Sequence, residues 1–175
     1  MNLLHGIGNG SGEITNVIVE IPKGSRNKYE YNSEAEALFL DRVLHSPFFY
    51  PVDYGFVPRT WYDDNDPLDA MIYIRDNSFP GCVVEVRIVG LLRMKDEKGI
   101  DDKLLGIPTG DPLFNDISNI EDIPSSFLDE VSHFFQRYKD LEKGKTSEVI
   151  GWLEKEDAVK ALERARNLYK EKFGK

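Results

Sequence analysis

Over residues 14 to 107 the chain alternates short β-branched or aromatic runs with turn residues; from residue 124 the apolar positions recur at helical spacing. Ile14–Ile21 is rich in β-branched residues and stops at Pro22, which predicts a strand. It carries one acid, Glu20, among apolar neighbours, read either as a strand end facing water or as part of a polar cleft, and the sequence alone favours the first. In Lys28-Tyr29-Glu30-Tyr31 a strand would put Lys28 and Glu30 on one face and both tyrosines on the other. Residues 37 to 40 predict a further strand, followed by Asp41 and Arg42. Residues 46 to 58 hold three prolines and several aromatic rings, and read as a rigid, irregular, packed segment. Strands are predicted again over 70–74, 81–94 and 103–107, the last two joined by a loop centred on Gly99 that brings Asp96 near Asp101.

The helical part opens at Pro124, with Ser125 or Ser126 placed to cap it, and Phe127, Val131, Phe134, Phe135 and Tyr138 form its apolar stripe. Residues 149–152 read as a last short strand, and 157–173 as a second amphipathic helix with Ala158, Leu162, Ala165 and Tyr169 on one stripe. Many strands first and helices mostly last predict one α+β domain over residues 1–175, in which the strands close into a barrel with helices packed outside.

With 175 residues and 41% hydrophobic content, the chain can bury one substantial core. A net charge of −9 disfavours nucleic acid or an anionic membrane surface as partner, so an anionic substrate needs bridging metals or local basic residues. Cys82 is the only cysteine, which excludes an intrachain disulfide and suits a reducing compartment. No run approaches the roughly 20 apolar residues that span a bilayer, and the first residues do not read as a signal peptide, so the expected location is the cytoplasm.

The densest chemistry is Asp63-Asp64-Asn65-Asp66-Pro67-Leu68-Asp69. Its proline can neither continue a helix nor donate to a sheet ladder, so the acids lie on an ordered turn and repel one another unless something positive holds them. Oxygen ligands on a stiff turn suit Mg2+, which takes octahedral oxygen coordination at about 2.0–2.1 Å. Taken alone, such a run is more often a solvated acidic loop. The same holds for the charged tip carrying Asp96 and Asp101, while Lys28, Arg42, Lys103 and Lys139 are scattered basic candidates. Other motifs fail on spacing. Gly6, Gly8, Gly10 and Gly12 would need glycine at 11 or 13, where Ser11 and Glu13 stand, to cradle a dinucleotide, and the segment reads as a flexible lead-in. Gly144-Lys145-Thr146 lacks the first glycine of a phosphate loop, since Lys139 occupies its place. An EF-hand starting at Asp64 fails at Leu68 and Asp69.

The run Asp64-Asn65-Asp66-Pro67-Leu68-Asp69-Ala70 resembles the signature of the soluble family I inorganic pyrophosphatases. The likeness extends through Val19-Glu20-Ile21-Pro22, Lys28-Tyr29-Glu30, Asp41-Arg42, Tyr50 to Gly55, Asp96-Glu97, Asp101-Asp102-Lys103 and Tyr138-Lys139-Asp140-Leu141-Glu142, in the family's order. It implies a twisted five-stranded, OB-like barrel flanked by two main helices, and a homohexamer. It also implies hydrolysis of pyrophosphate to two orthophosphates, using several Mg2+ ions with Mn2+ or Zn2+ as possible substitutes. By this resemblance Asp64, Asp69 and Asp101 hold a first ion, with Asp69 shared with a second; Asp96 and Asp101 take one arriving with substrate; Glu20 and Glu30 support another. Lys28, Arg42, Tyr54, Lys103, Tyr138 and Lys139 grip phosphate oxygens, and Asp66 deprotonates an attacking water bridged by two metals about 3.5–4 Å apart. Three rivals stand beside this reading: a calcium-binding or structural module, a single-strand nucleic-acid binder using the aromatics as stacking platforms, and a nucleoside triphosphate hydrolase.

Overall fold

The computed structural model describes all residues 1–175. Nine strands and three helices follow in the order α1 (Leu3–Gly6), β1 (Ile14–Ile21), β2 (Asn27–Asn32), β3 (Ala37–Val43), β4 (Asp53–Phe56), β5 (Asp69–Ile72), β6 (Val83–Asp96), β7 (Gly99–Ile100), β8 (Lys103–Pro108), α2 (Ser125–Arg137), β9 (Ser147–Glu154) and α3 (Lys155–Phe173).

Strands β1, β4, β5, β8 and β6 pair in that order, and β6 pairs back with β1, so five strands close a ring. The β5–β8 pair is parallel and the other four ring pairs are antiparallel. The long β6 makes closure possible. Val83 to Arg87 face β1, Val86 to Leu92 face β8 on the opposite edge, and Gly90 to Asp96 face β9. The hairpin β2–β3 stands apart as its own two-stranded sheet beside β1. This is the closed five-stranded α+β arrangement expected from the sequence.

Two of the irregularities in pairing aim side chains. Between β1 and β4, Val19 pairs with Gly55 and Ile21 with Tyr54, leaving Glu20 as the bulged residue. Between β2 and β3, Lys28 pairs with Arg42 and Tyr29 with Leu40, leaving Asp41 over. A bulge leaves one residue out of the ladder and redirects its side chain. The close approach behind Glu20 needs Gly55, because a Cβ there would sit 1.8 Å from the Ile18 carbonyl oxygen.

The core lies on two sides of the ring. Under α2, Val131, Phe134, Phe135 and Tyr138 pack on Tyr50, Tyr54, Val89 and Met94. Under α3, Ala158, Leu162 and Ala165 pack on Val17, Val57, Tyr62 and Leu68. Each fully buried large apolar side chain contributes about 1.5–3 kcal/mol, so these two faces outweigh any surface ion pair in holding the helices.

Four local expectations need correction. The glycine-rich segment 6–12 is not a free lead-in: Arg166 of α3, itself buried, donates to the carbonyls of Asn9 (2.7 Å), Gly12 (3.0 Å) and Ile14 (3.2 Å). Pro124, not a serine, occupies the cap position of α2, and no side chain caps that end. Within the proline-rich stretch 46–58, Asp53–Phe56 forms a fully buried strand. Glu20 does not face water; only 9% of it is exposed.

Candidate active site

The ring's bulges and strand ends converge on a polar cleft of about 280 Å³. A larger groove of about 560 Å³ lies beside Phe48, Tyr73, Phe127 and His133, but it gathers no comparable cluster of charges. The polar cleft receives Glu20 from the β1 bulge, Lys28 and Glu30 from β2, and Asp41 and Arg42 from β3. Tyr54 comes from β4, Asp69 from the start of β5, and Asp101 and Lys103 from the start of β8. Asp96 to Lys98 come from the β6–β7 tip, and Tyr138 and Lys139 from the end of α2.

At its centre Lys103, 1% exposed, uses its ammonium on three acceptors: Tyr54 Oη at 2.7 Å, and Asp69 Oδ2 and Asp101 Oδ2 at 3.0 Å each. Burial would push this lysine down, but Asp101 and Asp69 outweigh it and hold it well above the ordinary lysine value. Its Nζ also lies 5.0 Å from the Tyr54 ring and 5.3 Å from Phe135. The aromatic backing is closely packed: Tyr54 to Phe135 is 5.9 Å between ring centres, and Phe135 to Tyr138 is 5.4 Å. Both tyrosine hydroxyls are held neutral by burial, which raises their pKa.

Lys28, Arg42 and Lys139 are each leashed to an acid. Lys28 Nζ lies 3.4 Å from Asp41 Oδ2, Arg42 Nη1 lies 2.5 Å from the same oxygen, and Arg42 Nε lies 2.8 Å from Glu142 Oε1. Lys139 Nζ stands 3.8 Å from Glu97 and 4.0 Å from Asp96. Burial lowers the pKa of Lys139, with Glu97 and Asp96 opposing it.

The acids show the strain of crowding. Burial and then the neighbouring Asp69, Asp101 and Asp66 push Asp64 up to about 7. Burial pushes Glu20 up to about 8 against the backbone N–H of Tyr31, which donates to it at 2.7 Å. Asp66 is raised by burial, with Lys98 pulling the other way. Only oxygen donors gather here, the set that suits a hard divalent cation. No three of these acids stand close enough to clasp an ion at their present separations, and Lys103 supplies the positive charge between Asp69 and Asp101.

The profile of the family described as inorganic pyrophosphatase matches residues 17–170. The chain belongs to the inorganic pyrophosphatase family. It is 49% identical to the inorganic pyrophosphatase of Haloferax volcanii over 156 residues, 89% of this chain and 88% of that protein. It is also 49% identical to the inorganic pyrophosphatase of Methanosarcina acetivorans over 160 residues, 91% of this chain and 95% of that one. The crystal structure of the Thermus thermophilus inorganic pyrophosphatase superposes with a TM-score of 0.94 at 43% identity, covering 97% of this chain and 99% of that one.

Of the residues singled out from the sequence of this pyrophosphatase family member, Glu20, Lys28, Glu30, Arg42, Tyr54, Asp69, Asp96, Asp101, Lys103, Tyr138 and Lys139 line the one cleft. Asp66 lies next door, in a pocket of about 110 Å³ that shares Glu20, Glu30 and Asp69 with the cleft and is walled by Trp61 and Phe56. Asp64 lines neither, but the charges of Asp69, Asp101 and Asp66 act on it and help to raise its pKa. Sequence reasoning passed over Asp41, Glu97, Lys98 and Lys145 as site residues, although all four line the cleft. The signals were faint: an acid beside Arg42, and charges at tips that look like ordinary solvated turns.

Proposed function

We propose that this chain hydrolyses inorganic pyrophosphate to two orthophosphates with Mg2+ as cofactor. The observation that carries the reading is the cleft itself: lysines and an arginine interleave with carboxylates around a space with almost no apolar handle, the chemistry a small, dense anion and its cations require. Asp64, Asp69, Asp96 and Asp101, with Glu20 and Glu30 in support, are the residues that would hold the Mg2+ ions. When bound, such ions neutralise phosphate charge and make water a better nucleophile.

The chain's own residues do the rest. Asp66 accepts the proton of the attacking water as its oxygen bonds to phosphorus and the bridging P–O bond breaks. Lys28, Arg42 and Lys139 bind the phosphoryl oxygens, and the backed hydroxyls of Tyr54 and Tyr138 fix their direction. Lys103 stabilises charge on the departing phosphate. Phosphoryl transfer asks mainly for such positioning and neutralisation. The reading extends to one domain over 1–175, a cytoplasmic location and a homohexamer. The exposed Phe39, Leu40 and Val43 on β3, with Phe49, support burial against further copies. No helix is long and apolar enough to cross a membrane.

Phosphate release from pyrophosphate tests the reaction: rapid with Mg2+, lost with a chelator, restored by adding Mg2+ back, and far faster than release from ATP. Absence of release from the folded, Mg2+-supplied protein sinks it. Lys139→Ala separates substrate from metal contacts. It is expected to lower kcat/KM for pyrophosphate about 100-fold, as loss of one charge-stabilising donor does, and to leave Mg2+ binding to the free protein essentially intact. A large loss of Mg2+ affinity in that variant would move Lys139 to the metal-supporting side.

A further inference from the structure

Asp102 stands between Asp101 and Lys103, but residues alternate along the chain here, and its side chain turns to the far side of the sheet from theirs. It is 1% exposed and fully engaged. Arg93 donates to it twice, Nε at 2.9 Å and Nη2 at 3.0 Å, and Tyr62 Oη donates at 2.6 Å.

Tyr62 is in turn the hub of the acidic turn. Its backbone N–H donates to the Asp66 carbonyl at 2.8 Å, and its own carbonyl accepts from Asn65 N at 3.2 Å. Asn65 takes a left-handed conformation, φ 61°, that few residue types adopt easily. Thr60 Oγ1 closes the far end by accepting from Leu68 N at 3.0 Å. From α3, Arg164 places its guanidinium 5.3 Å from the Tyr62 ring and bonds Asp63 through two nitrogens, at 3.0 and 2.5 Å.

The two acidic segments that face the cleft are thus joined behind it by one short, charge-assisted hydrogen bond, Tyr62 to Asp102. Across the front Lys103 bridges Asp69 and Asp101, and the β5–β8 ladder sets Asp69 opposite Lys103, but neither reaches the upstream part of the turn with Asp64 and Asp66, which is tied from behind through Tyr62. We propose that Tyr62 and Asp102 are positioning residues that lock the turn bearing Asp64, Asp66 and Asp69 in register with Asp101, so that both segments reach the same divalent cation. The inference rests on the functional reading above for the identity of that cation as Mg2+. A short O–H to carboxylate bond is among the stronger and more directional available to side chains, which suits it to hold a register. Groups that orient a metal's ligands without touching the metal commonly tune affinity by an order of magnitude or more.

The test titrates Mg2+ alone into the free protein by calorimetry, without substrate. Tyr62→Phe keeps the ring, its packing and the Arg164 contact, and removes only the link; its Kd for Mg2+ is expected to rise about 10-fold. Asp102→Ala is expected to weaken binding at least as much, and Asp102→Asn, which can still accept from Tyr62, to recover most of the loss. In turnover assays, raising Mg2+ should restore much of the activity of Tyr62→Phe. Wild-type Mg2+ affinity in Tyr62→Phe, whatever its unfolding midpoint, overturns the proposal and leaves the bond a structural one. Should Asp102→Ala fail to fold, Tyr62→Phe still decides. Wild-type protein that binds Mg2+ but releases no phosphate overturns the functional reading alone; wild-type protein that binds no Mg2+ overturns this proposal.

Discussion

Asp66→Asn is expected to lower kcat for pyrophosphate by about 10²–10⁴-fold, the span that a positioned proton acceptor contributes. The amide keeps the size and the hydrogen-bonding reach of the carboxylate but cannot take a proton. The fold should not notice. Neighbouring groups partly desolvate the Asp66 carboxylate, but the residue lies at the surface and its turn is held through backbone groups, Tyr62 N to the Asp66 carbonyl and Asn65 N to the Tyr62 carbonyl. Steady-state kinetics at saturating Mg2+ and pyrophosphate, with the unfolding midpoint measured alongside, check both halves. A variant with wild-type kcat would remove Asp66 from the chemistry and shift attention to Glu20, which shares both pockets with Asp69.

Lys103→Met should be damaging in a different way. The ammonium has three protons and all three are used, on Tyr54, Asp69 and Asp101, inside a site where almost no water reaches. Methionine preserves most of the stem but leaves two carboxylates facing each other uncompensated. Breaking a buried ion pair by removing one partner costs about 3–5 kcal/mol, so the variant should unfold at markedly lower urea without divalent cations. Added Mg2+ should restore part of that stability, because it can neutralise the same carboxylates, while pyrophosphate turnover stays low for want of the lysine. Unfolding curves with and without Mg2+ decide the matter. Equal loss of stability under both conditions would mean that Asp69 and Asp101 do not serve the cation.

Four of the five strands of the ring were legible because β-branched runs ended at prolines and glycines, as in Ile14–Ile21 before Pro22. The helices were legible from their apolar stripes. Asp53–Phe56 escaped because it is four residues long, buried throughout and hemmed by prolines, so neither alternation nor length marks it. Glu20 was placed at the wrong surface for a related reason. Periodicity describes a regular strand, whereas a bulge opposite Gly55 turns that one residue toward the cleft, and its partner, the Tyr31 N–H, comes from a hairpin further along. The glycines of 6–12 signalled freedom, yet the guanidinium that ties them down lies at the other end of the sequence, in α3.

For the site, the acidic turn was visible as residue types at close spacing, and the family resemblance supplied the partners. What no local pattern contains is the pairing of charges: that Lys103 sits between Asp69 and Asp101, that Glu142 rather than a nearer acid holds Arg42 Nε, and that Asp102 faces away from its neighbours to meet Tyr62. Those contacts depend on which strands become neighbours, and the parallel β5–β8 pair, which sets Asp69 opposite Lys103, joins segments far apart in sequence.

The ring closes where β1 meets β6, Ile14 opposite Arg87, and the cleft draws on segments from Glu20 to Lys145. No stretch of the chain shorter than residues 20–145 brings these groups together. Contacts so distant in sequence form late, after the entropy of closing long loops has been overcome. A refolding chain is therefore expected to gain helices and hairpins before catalytic power, with recovery of activity lagging the far-ultraviolet circular dichroism signal and marking the final closure of the ring.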